Sequence, residues 1–134
     1  MTPPRKAAMG RPADWLEHAA SDLHLAQTSI GDKDVLPAQI CFHAQQAAEK
    51  ALKAVLLDRG VDFPPSHDME ELLVIFEQHG VQVPDDLRDT SLLTPYAVET
   101  RYPGYLEEVT RTDAEKATAI AAKALEWARL LVKE

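Results

Sequence analysis

The residues best suited to chemistry lie in one irregular segment, residues 94–111, which holds all three tyrosines of the chain. An arginine offers a forked cation to a phosphate, tyrosines stack on bases, and a carboxylate accepts a proton. Metal-independent RNA cleavage or nucleotide binding needs residues of these types. The candidate site residues are Tyr96, Glu99, Arg101, Tyr102 and Tyr105. In the alternative reading, Pro103 and Gly104 make a structural turn and Glu99 holds Arg101 in a salt bridge.

A second candidate lies earlier in the chain, where His43 and Lys50 are seven residues apart on a predicted helix. This spacing places the two side chains almost one above the other, so a ligand phosphate could contact both. The alternative is an ordinary solvated face. His67 stands where a later helix is predicted to begin, and we interpret it as a cap or packing residue rather than a proton-transfer group.

The spacing of histidines and cysteine predicts no metal site and no cofactor. His18 and His24 are six residues apart and point in different directions on a helix. Cys41, the one cysteine, falls among alanines on a helix, which indicates a buried and inert thiol. A single cysteine allows no disulfide within the chain, and we expect a cytoplasmic protein.

Composition restricts the function further. The 134 residues carry a formal net charge of -8, which disfavours non-specific binding to nucleic acid. No apolar run is long enough to span a bilayer, and no secretory signal is visible, so we expect no membrane association. We divide the chain into a flexible basic arm, residues 1–11 with Arg5, Lys6 and Arg11, and one domain, residues 12–134.

The elements that would position these residues are all helical. Apolar residues recur every three or four positions, and no segment alternates like a strand, so we predict an all-α fold. Pro95 is expected to end the fourth helix, and Thr112 and Glu115 are expected to cap the last. The predicted helices cover about residues 12–30, 36–58, 67–79, 85–93 and 112–133.

Two predicted helices present stripes of small residues. In the second helix, alanines and Ile40 form the apolar stripe, and Gln45, Glu49 and Lys53 occupy the opposite, polar side. In the last helix, Ile120, Trp127 and Leu130 lie outside the alanine stripe, at other positions around the helix axis. This surplus of small and apolar surface predicts a homodimer built partly from the last helices. The stripe of the last helix is Ala114, Ala117, Ala121, Ala124, Ala128 and Leu131.

Three segments, in this order, resemble the HEPN domain family. They are CFHAQQAAEKALKA at 41–54, GVDFPPSHD with EELL at 60–73, and LTPYAVETRYPG at 93–104. The resemblance covers about residues 14–132. It implies an up-and-down bundle of four to five helices, usually a homodimer, often encoded beside a minimal nucleotidyltransferase as half of a toxin–antitoxin-like pair.

The resemblance also implies a metal-independent ribonuclease in many members, whose signature is an arginine followed after four to six residues by a histidine. Here no histidine follows Arg101 or Arg111, and Arg59 precedes His67 by too many residues. Three hypotheses follow. The chain is an interaction module acting with a nucleotidyltransferase, a ribonuclease with a variant site around Arg101 and Glu99, or a nucleotide-binding regulatory domain without catalysis. We expect Arg101 at the rim of a groove near a dimer interface.

Overall fold

The computed structural model describes residues 10–97 and 109–133. In these two ranges the chain forms helices and no strand, so the predicted all-α class is confirmed. Four α-helices and one 3-10 helix make a bundle. They are α1 (Pro12–Ser29), α2 (Pro37–Asp58), α3 (Met69–Gln78), the 3-10 helix (Asp85–Ala97) and α4 (Arg111–Leu131).

Helix α2 lies at the centre of the bundle, and water therefore reaches few of its residues. It packs most extensively against α1 and α4, and also against the 3-10 helix. Its alanines let these neighbours approach closely. Every residue from Ala51 to Leu57 is buried, which covers more than one full turn of the helix. A helix covered on all sides has no polar face to spare, so its polar residues need partners inside the protein.

The bounds of α1 and α2 agree with the sequence prediction within one residue at each end. Pro12 and Pro37 each stand in the first turn, where a missing N–H removes no helical hydrogen bond. Gly60 and Gly80 follow α2 and α3 with φ of 71° and 73°. Other residues rarely adopt this left-handed conformation, so glycine ends both helices.

Helix α3 begins later than predicted, and His67 is not its cap. Asp68 is the N-cap, and its carboxylate accepts a hydrogen bond from the Glu70 N–H at 3.0 Å. The Ser66 hydroxyl in turn accepts from the Asp68 N–H at 3.0 Å. The Thr94 hydroxyl accepts from the Met69 N–H at 3.1 Å, which joins the start of α3 to the 3-10 helix.

The fourth segment was predicted to be a short helix that ends before Pro95; a helix does begin at Asp85, but the predicted end was wrong. It is a 3-10 helix that continues through Pro95 to Ala97. Successive 3-10 turns resemble type I turns, in which proline is favoured at the second position. Proline therefore interrupts an α-helix but fits this segment.

The predicted cap of the last helix was displaced by two residues. The Thr110 hydroxyl accepts from the Asp113 N–H at 3.1 Å, and the Asp113 carboxylate accepts from the Thr110 N–H at 2.9 Å. Thr112 lies inside α4. Both threonines are followed by an acidic residue three positions later, so the sequence offers two capping boxes and the structure uses the first.

Arg111 joins the start of α4 to the turn between α1 and α2. Its guanidinium donates to the backbone oxygens of Ile30 at 3.1 Å and Val35 at 2.7 Å. The Ile30 carbonyl follows the last turn of α1, where backbone oxygens lack helical partners. Arg111 therefore supplies a charged donor to the negative end of α1.

Candidate functional site

A buried polar cluster lies on α2 and the segment that follows it. The Glu49 carboxylate accepts hydrogen bonds from Gln45 Nε2 at 2.8 Å and from Lys53 Nζ at 3.0 Å. His67 Nδ1 lies 2.8 Å from the same carboxylate. We call Gln45, Glu49, Lys53 and His67 the inner cluster. The side chains of Glu49 and Lys53 are only 6% and 7% exposed, whereas that of His67 is 50% exposed.

Sequence reasoning placed Gln45, Glu49 and Lys53 opposite the apolar stripe of the helix, and it did not predict that this side is covered. All three are buried. The Glu49–Lys53 pair itself is present at the predicted four-residue spacing. Gln46 Nε2 donates to Gln45 Oε1 at 2.7 Å, so the bonded chain extends outward to a half-buried residue. Each buried polar group then has a partner, as burial requires.

The connector between α2 and α3 positions His67 against this carboxylate. Pro64 and Pro65 restrict the backbone, and the Ser66 N–H donates to the Pro64 oxygen at 2.7 Å. The Phe63 ring lies beneath Lys53 Nζ, which is 5.5 Å from the ring centroid. An ammonium over an aromatic face is electrostatically favourable. His67 is thus held by a stiff connector at one end and by the capped start of α3 at the other.

A second polar network joins α1 to α2 nearer the surface. The Asp22 carboxylate accepts from Lys50 Nζ at 2.7 Å and lies 3.2 Å from His43 Nδ1. We call Asp22, His43 and Lys50 the outer bridge. His43 and Lys50 lie on one line, as their spacing predicted, but a carboxylate of α1 already occupies the space between them. A phosphate at this position would compete with Asp22.

The surface beside Lys50 contains a shallow cleft of about 230 Å³. Its lining residues are Asp14, Trp15, His18 and Lys50. The Trp15 ring meets Phe63 edge to face, with centroids 6.2 Å apart, so the aromatic wall of the cleft is braced from behind. An aromatic side chain in the lining suits the stacking of a small planar ligand, while the Lys50 ammonium is already paired with Asp22.

Cys41 and Tyr96 form a third pair, between α2 and the 3-10 helix. Cys41 is fully buried, as the sequence predicted. Burial raises the pKa of the Cys41 thiol to about 11, against the lowering effect of a hydrogen bond with Tyr96. Burial likewise raises the pKa of Tyr96 to about 12. Neither group ionises near neutral pH, so Cys41 is a poor nucleophile and the Tyr96 hydroxyl is a neutral hydrogen-bonding group.

Of the candidate residues in the tyrosine-rich segment, Tyr96 alone falls within the described ranges, where it is half-buried. The predictions for Glu99, Arg101, Tyr102 and Tyr105 lie outside the described residues. The structure brings His43 and Lys50 together through Asp22, and it places Tyr96 against Cys41.

The inner cluster is the feature that sequence reasoning missed. Part of its signal was present, because Gln45, Glu49 and Lys53 recur every four residues along the helix. A polar line on a helix rich in alanine indicates either a narrow solvent face or a buried network. Gln46 and Lys50 form a second polar line beside it, so the pattern of α2 alone does not distinguish the two.

Residues 10–97 and 109–133 offer neither a metal site nor a membrane span. No group of three or more histidine, cysteine or acidic side chains in these ranges could hold a metal ion. In the same ranges, no helix combines the length and the apolar character needed to cross a membrane.

In the part of the chain that the structure describes, four α-helices and a 3-10 helix form an all-α bundle, with polar residues paired around a central alanine-rich helix. The HEPN domain model matches residues 12–131, so the chain belongs to the HEPN domain family. A solved structure, TT1696 from Thermus thermophilus, is 38% identical, with a TM-score of 0.78 over 90% of this chain and 97% of that one.

A second solved structure, ST0689, described as an archaeal HEPN homologue, is 27% identical with a TM-score of 0.75. The alignment covers 92% of this chain and 99% of that one. No curated protein matches the chain significantly.

Proposed function

We propose that this HEPN-domain protein is a homodimeric interaction module, the HEPN half of a toxin–antitoxin-like system that acts with a minimal nucleotidyltransferase. The observation that carries the proposal is an apolar surface along the 3-10 helix and α4 that is exposed among the residues that the structure describes. Leu92 is 63% exposed and Leu130 is 75% exposed on this side of the domain. Ile120 and Trp127 are half-buried on the same side.

The alanines of α4 do not contribute to this surface, which corrects part of the sequence argument. Ala117, Ala121, Ala124 and Ala128 are buried within their own domain, against α2 and its neighbours. Ile120, Trp127 and Leu130, which lie outside the alanine stripe, still contribute to this surface. Two shallow grooves, of about 400 Å³ and 320 Å³, run between the 3-10 helix and α4, and they contain Leu92 with Ile120 and Trp127 with Leu130.

The charges around these grooves are of both signs. Asp86, Asp89, Asp113 and Glu126 line them together with Lys116 and Lys123, and Lys123 Nζ lies 3.9 Å from Asp86 Oδ2 of the same chain. A two-fold axis brings the same patch of two copies together, so the exposed leucines of each copy can meet at the interface. The surface therefore suits a second copy of this chain. The family resemblance supports the nucleotidyltransferase as the partner of that dimer.

Light scattering at tens of micromolar tests the dimer. We expect a dimeric mass for the native chain and a monomeric mass for Leu130→Glu, because a buried unpaired carboxylate opposes association. Leu25→Glu, at a 46% exposed position on α1, is the matched control and should remain dimeric. A monomeric native chain would remove the dimer. We expect a minimal nucleotidyltransferase gene beside this one, and co-expression of the two proteins should yield a joint complex by the same measurement. The absence of that gene, or separate elution of the two proteins, would remove the partner.

A second candidate function is supported by the cleft at Trp15 and by the half-exposed His67. In this function the domain binds a nucleotide or RNA, either as a ribonuclease with a variant site or as a regulator without catalysis. Arg101 and Glu99 are its proposed catalytic residues. The proposed binding residues are Tyr96, Arg101, Tyr102, Tyr105, His43 and Lys50.

Incubation with transfer RNA, with and without a chelator, tests the second candidate. Cleavage that persists with the chelator supports a metal-independent ribonuclease. Arg101→Ala should abolish the RNA-directed activity and leave the melting temperature within a few degrees. A merely structural Arg101 would instead cost on the order of 1–3 kcal/mol of stability, with activity per folded molecule retained.

A further inference from the structure

The connector between α2 and α3 contacts both members of the buried ion pair in the inner cluster. His67 Nδ1 lies 2.8 Å from Glu49 Oε1, and the centroid of the Phe63 ring lies 5.5 Å from Lys53 Nζ. We call residues 62–67 the strap. The strap is therefore part of the cover that leaves the Glu49 and Lys53 side chains only 6% and 7% exposed.

Two hydrogen bonds of the strap are local and do not fasten it to α2. The Ser66 N–H donates to the Pro64 carbonyl at 2.7 Å, and the Ser66 hydroxyl accepts from the Asp68 N–H at 3.0 Å. Bonds of this kind persist when the whole segment moves. Pro64 and Pro65 restrict the backbone between the two contact residues, so the strap is stiff enough to move as one piece.

The ion pair beneath the strap lowers the cost of uncovering it. A segment that leaves an apolar core exposes only hydrocarbon to water, which is unfavourable in proportion to the area exposed. Here the Phe63 ring, 5% exposed, supplies that cost. Water that enters beneath the strap also hydrates the carboxylate of Glu49 and the ammonium of Lys53, and burial had removed this hydration. The gain in hydration offsets part of the cost of exposing Phe63.

We propose that the strap opens by local unfolding while the helices remain folded, and that its opening exposes the Glu49–Lys53 pair. Openings that need less free energy than global unfolding are a general property of folded proteins. The fastener is the contact between His67 and Glu49, because it joins a carboxylate of α2 to a side chain that is itself 50% exposed. The open state thus presents two opposite charges that the closed state keeps from solvent.

Acetylation of the lysines by an N-hydroxysuccinimide ester, followed by mass spectrometry at low modification, tests the opening. The reagent needs an accessible amine, so Lys53 reacts only when the pair is uncovered. Lys50, whose side chain is 27% exposed, is the internal reference. We expect Lys53 to react more slowly than Lys50. Urea below the unfolding transition should leave the Lys53 rate unchanged, because a local opening exposes little surface.

The variant His67→Ala removes the fastener and keeps the rest of the inner cluster. The acetylation rate of Lys53 should rise about tenfold, the change expected for the loss of one hydrogen bond to a charged group. The rate should remain insensitive to low urea. His43→Ala is the matched control, because it removes a histidine whose Nδ1 lies 3.2 Å from a different carboxylate, that of Asp22. This variant should acetylate Lys53 at the native rate.

Each of three results would overturn the proposal. A Lys53 rate that rises with urea in parallel with global unfolding would show that the pair is uncovered only in the unfolded chain. Equal rates at Lys53 and Lys50 would show that the closed strap does not cover the pair. An unchanged Lys53 rate in His67→Ala would show that His67 does not fasten the strap.

Discussion

The inner cluster and the outer bridge use the same kinds of side chain in different surroundings. Each contains a carboxylate, a lysine and a histidine. In the inner cluster, the carboxylate and the ammonium are almost completely removed from water, whereas in the outer bridge His43 and Lys50 are 31% and 27% exposed. Burial rather than composition therefore decides how much each network matters, because water weakens an exposed ion pair and cannot reach a buried one.

The largest expected effect follows removal of the central carboxylate. Glu49→Ala leaves the Lys53 ammonium buried beside Phe63 without a counter-charge. We expect a loss of about 3–5 kcal/mol in the free energy of unfolding, measured by urea denaturation. A loss below about 1 kcal/mol would mean that water reaches Lys53, and the contrast with the outer bridge would disappear.

An intermediate effect is expected at alkaline pH, where the Cys41–Tyr96 pair ionises. The thiol pKa is about 11 in the folded chain and 9.0 in the unfolded chain, so the folded state holds the proton more tightly. The contribution of this thiol to the free energy of unfolding is fully present below about pH 9 and is lost as the pH rises toward 11. This group alone should account for on the order of 2 kcal/mol by pH 11.

Urea denaturation of the native chain and of Cys41→Ala, from pH 8 to pH 11, measures that difference. The native chain should lose more stability than the variant across this window, and the two should run parallel below pH 9. Tyr96, whose pKa rises from 10.0 to about 12, adds a further loss above pH 10 in both. Parallel curves throughout would show that the Cys41 thiol is not protected by burial.

The smallest effect is expected in the outer bridge. Asp22→Ala removes the carboxylate that pairs with a partly exposed lysine ammonium and contacts a partly exposed histidine, and we expect at most about 1 kcal/mol of lost stability. Because salt screens exposed pairs, 1 M sodium chloride should reduce this difference, while the Glu49→Ala difference should remain. An Asp22→Ala loss as large as that of Glu49→Ala, and insensitive to salt, would contradict the ranking.

Periodicity was sufficient to predict α1, α2 and the all-α class, because each of these helices buries a stripe of residues that repeats every turn. Periodicity along one helix does not reveal how many neighbours cover it. The line of Gln45, Glu49 and Lys53 reads as a polar face when α2 is considered alone. It becomes a buried network only when α1, the connector and the 3-10 helix are all in place.

Local signals were least informative where two of them competed. Thr110 and Thr112 both satisfy the capping pattern. The choice between them depends on the position from which the Arg111 guanidinium reaches the backbone oxygens of Ile30 and Val35. Pro95 predicts a helix end when an α-helix is assumed, yet the 3-10 helix observed here contains it. His67 was placed at the correct junction, but its partner Glu49 is 18 residues earlier and is invisible to local patterns.

The contact of Arg111 with the turn between α1 and α2 also has a kinetic meaning. It links residues 81 and 76 positions apart in the chain, so it closes one of the longest loops of the domain. Closing such a loop is entropically costly until other contacts have drawn the ends together. The α1–α2 hairpin is local and can form first. We therefore expect Arg111 to be among the last contacts made in folding, and its removal to speed unfolding more than it slows folding.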